Sequence, residues 1–208
     1  MEGVKRAEIL AAATERFGRD GYEDTKWADI ASDVGVGPTA LYHYFESKQH
    51  CLFEIMDDAL AESQGRFERI TAAEPDFLRA LERVLADAFD VTPHDVQRLR
   101  VLVAEQGLLG RRRSSPREEE ARQAARAHTR DLELAWTAFL RRAIDEGALP
   151  DSDPRLLARA VLGLYNSIWQ WYRPQGTLPL DVLARFYRAR LLEILGVDPG
   201  TTAELLAA

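Results

Sequence analysis

The chain has 208 residues, 46% of them hydrophobic and 29% charged, which is enough to bury one helical domain of ordinary size with a small one attached. A lone cysteine, Cys51, excludes an internal disulfide, no apolar run approaches the ~20 residues that span a bilayer, and the charged, amphipathic N-terminus lacks the form of a secretory signal; a cytoplasmic, membrane-free protein is expected. The net charge of −7 excludes nucleic-acid binding through a global positive field, and residues 1–50 hold six Lys and Arg against nine Asp and Glu, so any grip on a polyanion must come from a few placed groups.

Apolar residues recur at helical spacing along nearly the whole chain and no stretch alternates with the period of a half-buried strand, so an all-α fold of about nine helices is expected. A first helix over about 4–19 buries Ile9, Leu10, Ala13 and Phe17. Thr25 is the expected cap of a second helix over 26–34, with Trp27 or Ala28, Ile30, Ala31 and Val34 turned inward. Gly35-Val36-Gly37-Pro38 then interrupts the chain, with Gly37 at the N-cap and Pro38 at the first position of a short third helix, where its missing N–H costs nothing. Ser47 caps a long fourth helix over about 48–70, closed less firmly by His50 than by the Glu a capping box uses. Further breaks leave helices near 76–91, 94–109, 116–146, 154–173 and 180–195, and the tail after Gly200 reads as a weakly held end. The composition shifts once, dividing a unit over 1–47 from a larger body over 48–208.

Three short helices with a tight turn between the second and third form a helix-turn-helix arrangement, in which the third enters the major groove. Ile30, Ala31 and Val34 face Leu41 and Phe45, which leaves Thr39, Ala40 and His43 on the opposite side, flanked by Tyr42 and Tyr44. The stretch KWADIASDVGVGPTALYHYFESK resembles the DNA-binding segment of the TetR family of transcriptional regulators. That resemblance implies a homodimer whose larger domain binds a small-molecule effector and whose smaller one binds a double-stranded operator. It implies that Thr39, Ala40 and His43 face base edges, and that Tyr42, Tyr44, Lys48 and the start of the second helix at Thr25, Lys26 and Trp27 meet phosphates. The chemistry agrees: Tyr hydroxyls, a Lys ammonium and N–H groups at helix starts bind phosphate oxygens, while Thr39 and Ala40 suit a thymine methyl or a base edge. Gly37 replaces a Ser common in the family, leaving backbone donors beside Pro38.

In the body, Trp136, Phe139 and Leu140 share one helix face, as do Tyr165, Ile168 and Trp169; with Phe89, Leu99, Leu102 and Val103 they are the candidate effector lining, against the alternative that they are ordinary core. The scarcity of charge there favours a bulky, apolar effector. The segment SIWQWYRPQG-x-LPL resembles the end of the dimer-forming helix in TetR-family regulators of fatty-acid and steroid catabolism, which implies an acyl-CoA or other lipid-like compound. The family resemblance pairs the last two long helices across a twofold axis, with Leu157, Val161, Leu164, Ile168, Leu183, Phe186, Tyr187, Leu191 and Leu195 as the apolar surface. The run GRRRSSPRE over 110–118 admits a second polyanion contact, a phosphate site, or a solvated loop.

Two other classes compete. A helical enzyme lacks support, because His43, His50, His94 and His128 form no paired metal spacing, Cys51 has no evident base, and no Gly-rich phosphate loop is present; neither metal nor cofactor is expected. A protein-interaction module built on a degenerate DNA-binding unit is the other alternative.

Overall fold

The computed structural model describes residues 2–198, 200 and 201, with side chains from residue 5 onward; most of the tail expected to be weakly held lies outside the described residues. Nine α-helices and no strand occur among them: α1 Glu2–Asp20, α2 Trp27–Asp33, α3 Pro38–Leu41, α4 Lys48–Ala73, α5 Phe77–Phe89, α6 Pro93–Glu105, α7 Pro116–Asp145, α8 Pro154–Trp171 and α9 Leu180–Ile194. The predicted sixth helix ends early, because Gln106–Gly110 tightens into a 3-10 turn. Helix starts follow local chemistry. Asp76 and Asp153 each accept a backbone N–H, and Thr92 and Asp95 form a reciprocal capping box ahead of α6.

Two compact units result, one from residues up to 61 and 92–129, the other from 62–91 and 130 onward. In the first, α1 packs on α2 and α6, and α2 on α3. Ile9, Ala13, Phe17, Ile30, Ala31, Leu41 and Phe45 are buried as expected, whereas Leu10 and Val34 keep partial exposure. Arg16 clamps Asp33 with both arms of its guanidinium, which ties α1 to α2 and holds the carboxyl below its ordinary range.

Gly18 sits where α1 and α6 touch. A Cβ there would lie 2.9 Å from Gln97 Cα and 2.7 Å from its Cβ, and Arg100 Nε donates to the Gly18 carbonyl at 2.9 Å. Gly18→Ala is therefore expected to destabilise the chain by about 1–3 kcal/mol through overpacking, read by chemical denaturation; an unchanged midpoint would show that α6 recedes without cost.

The second unit packs α9 against α8 and α5, with Arg188 of α9 bridged to Glu82 of α5 at 3.2 Å. Its core is aromatic. Phe67 stacks on Trp136 and Phe139, and Phe77 on Phe139, while Trp169 is surrounded by Phe89, Tyr165 and Tyr172 with ring centroids 5.6–6.5 Å away.

Candidate nucleic-acid interface

The joint between α2 and α3 is built as the Gly and Pro residues demand. Gly35 adopts φ +66°, a left-handed conformation that costs an L-residue about 1–2 kcal/mol, and the N–H of Val36 returns to the Ala31 carbonyl at 2.9 Å. Gly37 is the N-cap of α3 with φ −69°, and Pro38 opens the helix. After Leu41 the chain continues in tight turns, Tyr44 N–H reaching the Leu41 carbonyl at 3.0 Å. Phe45 is fully buried, edge-on to Trp27 at 6.3 Å and to His50 at 5.8 Å, with the Arg6 guanidinium over its ring at 5.0 Å.

That anchoring turns the other side of the segment to solvent. Gly37, Pro38, Thr39, Tyr42 and His43 are exposed, Tyr42 at 56%, and Ala40 and Tyr44 are half-buried. Lys26 stands exposed at the start of α2 and is its N-cap, without a side-chain cap. Exposed hydroxyl, imidazole, methyl and ammonium groups thus lie along one short segment and the helix start before it.

Three residues take roles other than those expected. Thr25 does not cap α2: it is 3% exposed and its hydroxyl donates to the Gly21 carbonyl at 2.7 Å, because the chain turns one residue later than the capping pattern suggests. Lys48 turns inward, donating to the carbonyls of Tyr22 at 2.6 Å and Thr25 at 2.9 Å with its ammonium 4.2 Å from the Tyr22 ring centre. It fixes the stretch of backbone that leads into α2. Trp27 is half-buried against Phe45, and its indole Nε1 is enclosed without an acceptor.

The α4 start is also tighter than expected. Ser47 Oγ accepts the His50 N–H at 3.0 Å, and His50 Nδ1 accepts the Glu46 N–H at 3.2 Å, so a neutral imidazole returns the bond that Glu would have made. Its Nε2 lies 2.9 Å from Glu54, which also pairs with Arg6. These groups border a depression of about 460 Å³ that Tyr44 and Asp57 share, and Asp57 accepts from His128 at 2.7 Å.

Burial holds the His50 pKa below its ordinary 6.5, outweighing the nearby Glu46 and Glu118 carboxylates; Arg6 and Arg117 act in the same direction as burial. A histidine depressed in the folded state binds its proton preferentially when unfolded, so its contribution to stability is complete above pH ~6.5 and is lost as pH falls below that value. The melting temperature is expected to fall more steeply from pH 7 to 5.5 in the parent than in His50→Gln. Parallel profiles would remove His50 as the source.

The candidate effector lining divides between the units. Leu99, Leu102 and Val103 are buried in the first; Phe89, Trp136, Phe139, Leu140, Ile168 and Trp169 are buried in the second, and Tyr165, half-buried, donates to the Ala88 carbonyl at 2.8 Å. All of the second set pack as core in this structure.

On α8 and α9, Val161, Ile168, Leu183, Leu191 and Leu195 are buried within the chain, Leu157, Leu164 and Tyr187 are half-buried, and Phe186 is 58% exposed. The exposed apolar side chains are instead Leu156, Trp171, Leu178, Val182, Phe186 and Ile194. Leu156 and Trp171 flank the small, exposed Ala160 and Gly163 on one face of α8. The missed signal was that α8 is apolar on two sides, which a helix with only one packed face does not need.

An all-α chain whose two-helix joint exposes a short polar segment over a buried aromatic anchor defines a helix-turn-helix protein. Residues 9–55 match the family described as bacterial regulatory proteins, tetR family, and residues 94–195 match the tetracyclin repressor-like C-terminal domain; the chain belongs to the TetR family. It is 26% identical over 193 residues to the HTH-type transcriptional repressor KstR2 of Rhodococcus jostii, covering 91% of this chain and 90% of that protein. Among solved structures, the TetR-family regulator PfmR of Thermus thermophilus is 29% identical with a TM-score of 0.72, covering 90% of this chain and 97% of that one. The ketosteroid transcriptional regulator KstR2 of Mycobacterium tuberculosis is 26% identical with a TM-score of 0.71, covering 92% and 93%.

Proposed function

We propose that this protein is a ligand-responsive transcriptional repressor that binds a palindromic operator as a homodimer and leaves it when a bulky, apolar small molecule occupies the larger body. The observation that carries the proposal is the exposed segment of Pro38, Thr39, Ala40, Tyr42 and His43 held over the fully buried Leu41 and Phe45, in a chain alike over nine-tenths of its length to repressors. Thr39, Ala40 and His43 read base edges. Tyr42, Tyr44, Lys26 and the backbone N–H groups around Gly37 meet phosphates, and Lys48 positions the entry to α2 from behind. Residues 1–47 do the reading and 48–208 the sensing and pairing.

The dimer forms through α8 and α9, where Leu156, Trp171, Val182, Phe186 and Ile194 leave an apolar surface that a monomer does not need. A lipid-like effector agrees with the aromatic core around Trp169 and with a relative that regulates ketosteroid genes by its name. Effector binding acts by favouring one spacing of the two recognition segments over another. The protein acts by binding and not by catalysis; burial raises the Cys51 thiol pKa, which keeps it protonated and unreactive. Among the described residues no helix is long and apolar enough to cross a membrane, in keeping with a regulator that works in the cytoplasm.

The test is fluorescence anisotropy of a duplex from upstream of the protein's own gene. Binding is expected to weaken steeply with salt, with a log–log slope of about −0.9 per phosphate contact, and to survive excess nonspecific DNA. No binding at low salt in the absence of effector would overturn the proposal.

A further inference from the structure

The arginine-rich run is not the solvated loop that its composition allows. Residues 111–115 are tied down at both ends: the Arg113 N–H donates to Glu119 at 2.9 Å, and the Ser115 hydroxyl donates to Glu46. Ser47 in turn donates to Glu118, so the loop and the start of α7 are stitched to the corner between α3 and α4. Within this frame the Arg113 side chain folds under the loop, its guanidinium 5.5 Å from the centre of the fully buried Phe53 ring. Its Nε and Nη2 are enclosed and donate to nothing.

An enclosed guanidinium with idle donors is an expensive arrangement, and a ring face compensates for only part of it. The acidic groups close by do not fill the gap. Glu119 is engaged by Arg122, by the Arg113 backbone and by Gln123, and Glu118 takes the Ser47 hydroxyl. Arg111, Arg112 and Arg117 are exposed around the loop and add positive potential, as does the start of α7.

We propose that Arg113 is the centre of a binding site for a small phosphate-bearing anion, with Arg111, Arg112 and Arg117 as its electrostatic rim. The forked guanidinium meets two phosphate oxygens through Nε and Nη2, the bidentate geometry these donors are built for. Two of its three nitrogens lie under the loop, where a small anion fits and the backbone of a rigid duplex does not. Because the loop is bonded to Glu46 and its neighbour Ser47 to α7, occupancy bears directly on the corner that follows the recognition segment. The site lies in the first unit and is separate from the apolar body assigned to the effector.

Inorganic pyrophosphate is the probe, with sodium chloride at matched ionic strength as control and no DNA present. The parent is expected to gain about 5–10 °C in melting temperature at a hundred times the dissociation constant, with saturable heat in calorimetry. Arg113→Met, which keeps the stem against Phe53, is expected to lose the response while melting at or above the parent's temperature in chloride. Arg113→Lys, which keeps charge without the fork, is expected to bind at least about tenfold more weakly. Arg111→Gln with Arg112→Gln weakens binding several-fold and leaves it saturable. An equal response in parent and Arg113→Met, or none in the parent at about 10 mM, would overturn the site. So would a drop of about one in the salt slope of operator binding in Arg113→Met, which would mark Arg113 as a contact to DNA. Failure of operator binding in the parent would leave this result intact, so the two proposals fail separately.

Discussion

Phe186→Glu is expected to convert the protein to a monomer without unfolding it. Phe186 is 58% exposed in the single chain, touching Tyr187 at 5.5 Å between ring centres and lying under the Arg190 guanidinium, so a carboxylate there meets water and costs the monomer within about 0.5 kcal/mol. At a twofold contact the same carboxylate would be buried without a partner, alongside Val182, Leu156 and Ile194. A buried unpaired charge costs about 3–5 kcal/mol, which raises the dimer dissociation constant by about 10²–10³ or more. Operator affinity is expected to fall by about 10²–10⁴, because each half-site then binds without the other. Sedimentation velocity and anisotropy on the same preparations check both parts. A variant that remains dimeric would move the interface away from α8 and α9.

The second large effect separates two aromatics three residues apart. Phe45→Ala is expected to cost about 3–5 kcal/mol, a large part of the roughly 5–15 kcal/mol that holds a typical domain, because the ring fills a site walled by Trp27, His50 and Arg6 and nothing is placed to collapse into the cavity. Operator binding should fail with it, since Phe45 is what presents the segment. Tyr42→Phe removes only an exposed hydroxyl, leaving stability within about 0.5 kcal/mol, yet it is expected to weaken operator binding about 5- to 30-fold through the lost bond to a charged phosphate. Thermal melts and anisotropy on the two variants form one experiment. Equal melting of Phe45→Ala and the parent would contradict the anchoring role, and full operator affinity in Tyr42→Phe would remove Tyr42 from the phosphate contacts.

How far the sequence reaches depends on whether a residue's role is local. The joint was legible because Gly35 and Pro38 act on their own backbone, and Phe45 because its position relative to Ile30 and Ala31 follows from helix spacing. Helix boundaries fell within a few residues, apart from Gln106–Gly110, where the chain tightens to a 3-10 turn that spacing does not distinguish from α-helix. Lys48 was misread because its partners, the carbonyls of Tyr22 and Thr25, are more than twenty residues away. Thr25 was misread because its type suits a cap, while the turn that buries it depends on Gly21. On α8 and α9 the sequence marks apolar positions but not which side the chain itself covers. Val161, Leu183 and Leu191 went inward, and Leu156, Trp171 and Val182 outward, a division that only the packing of α5 and α8 on α9 decides. Arg113 is the extreme case: three adjacent arginines are alike in sequence, and one alone lies folded over Phe53.

In the proposed complex, Pro38 to Tyr44 read base edges from a twofold-related pair of chains. Selection of bound duplexes from a random library, at physiological salt and without effector, decides whether they do. The expected product is an inverted repeat whose half-sites lie about one helical turn, roughly 10 base pairs, apart, with Thr39→Ala changing the preferred base at one position in each half and leaving the spacing alone. Failure to enrich any sequence, or enrichment of an asymmetric site that Thr39→Ala leaves unchanged, would refute paired readout by this segment.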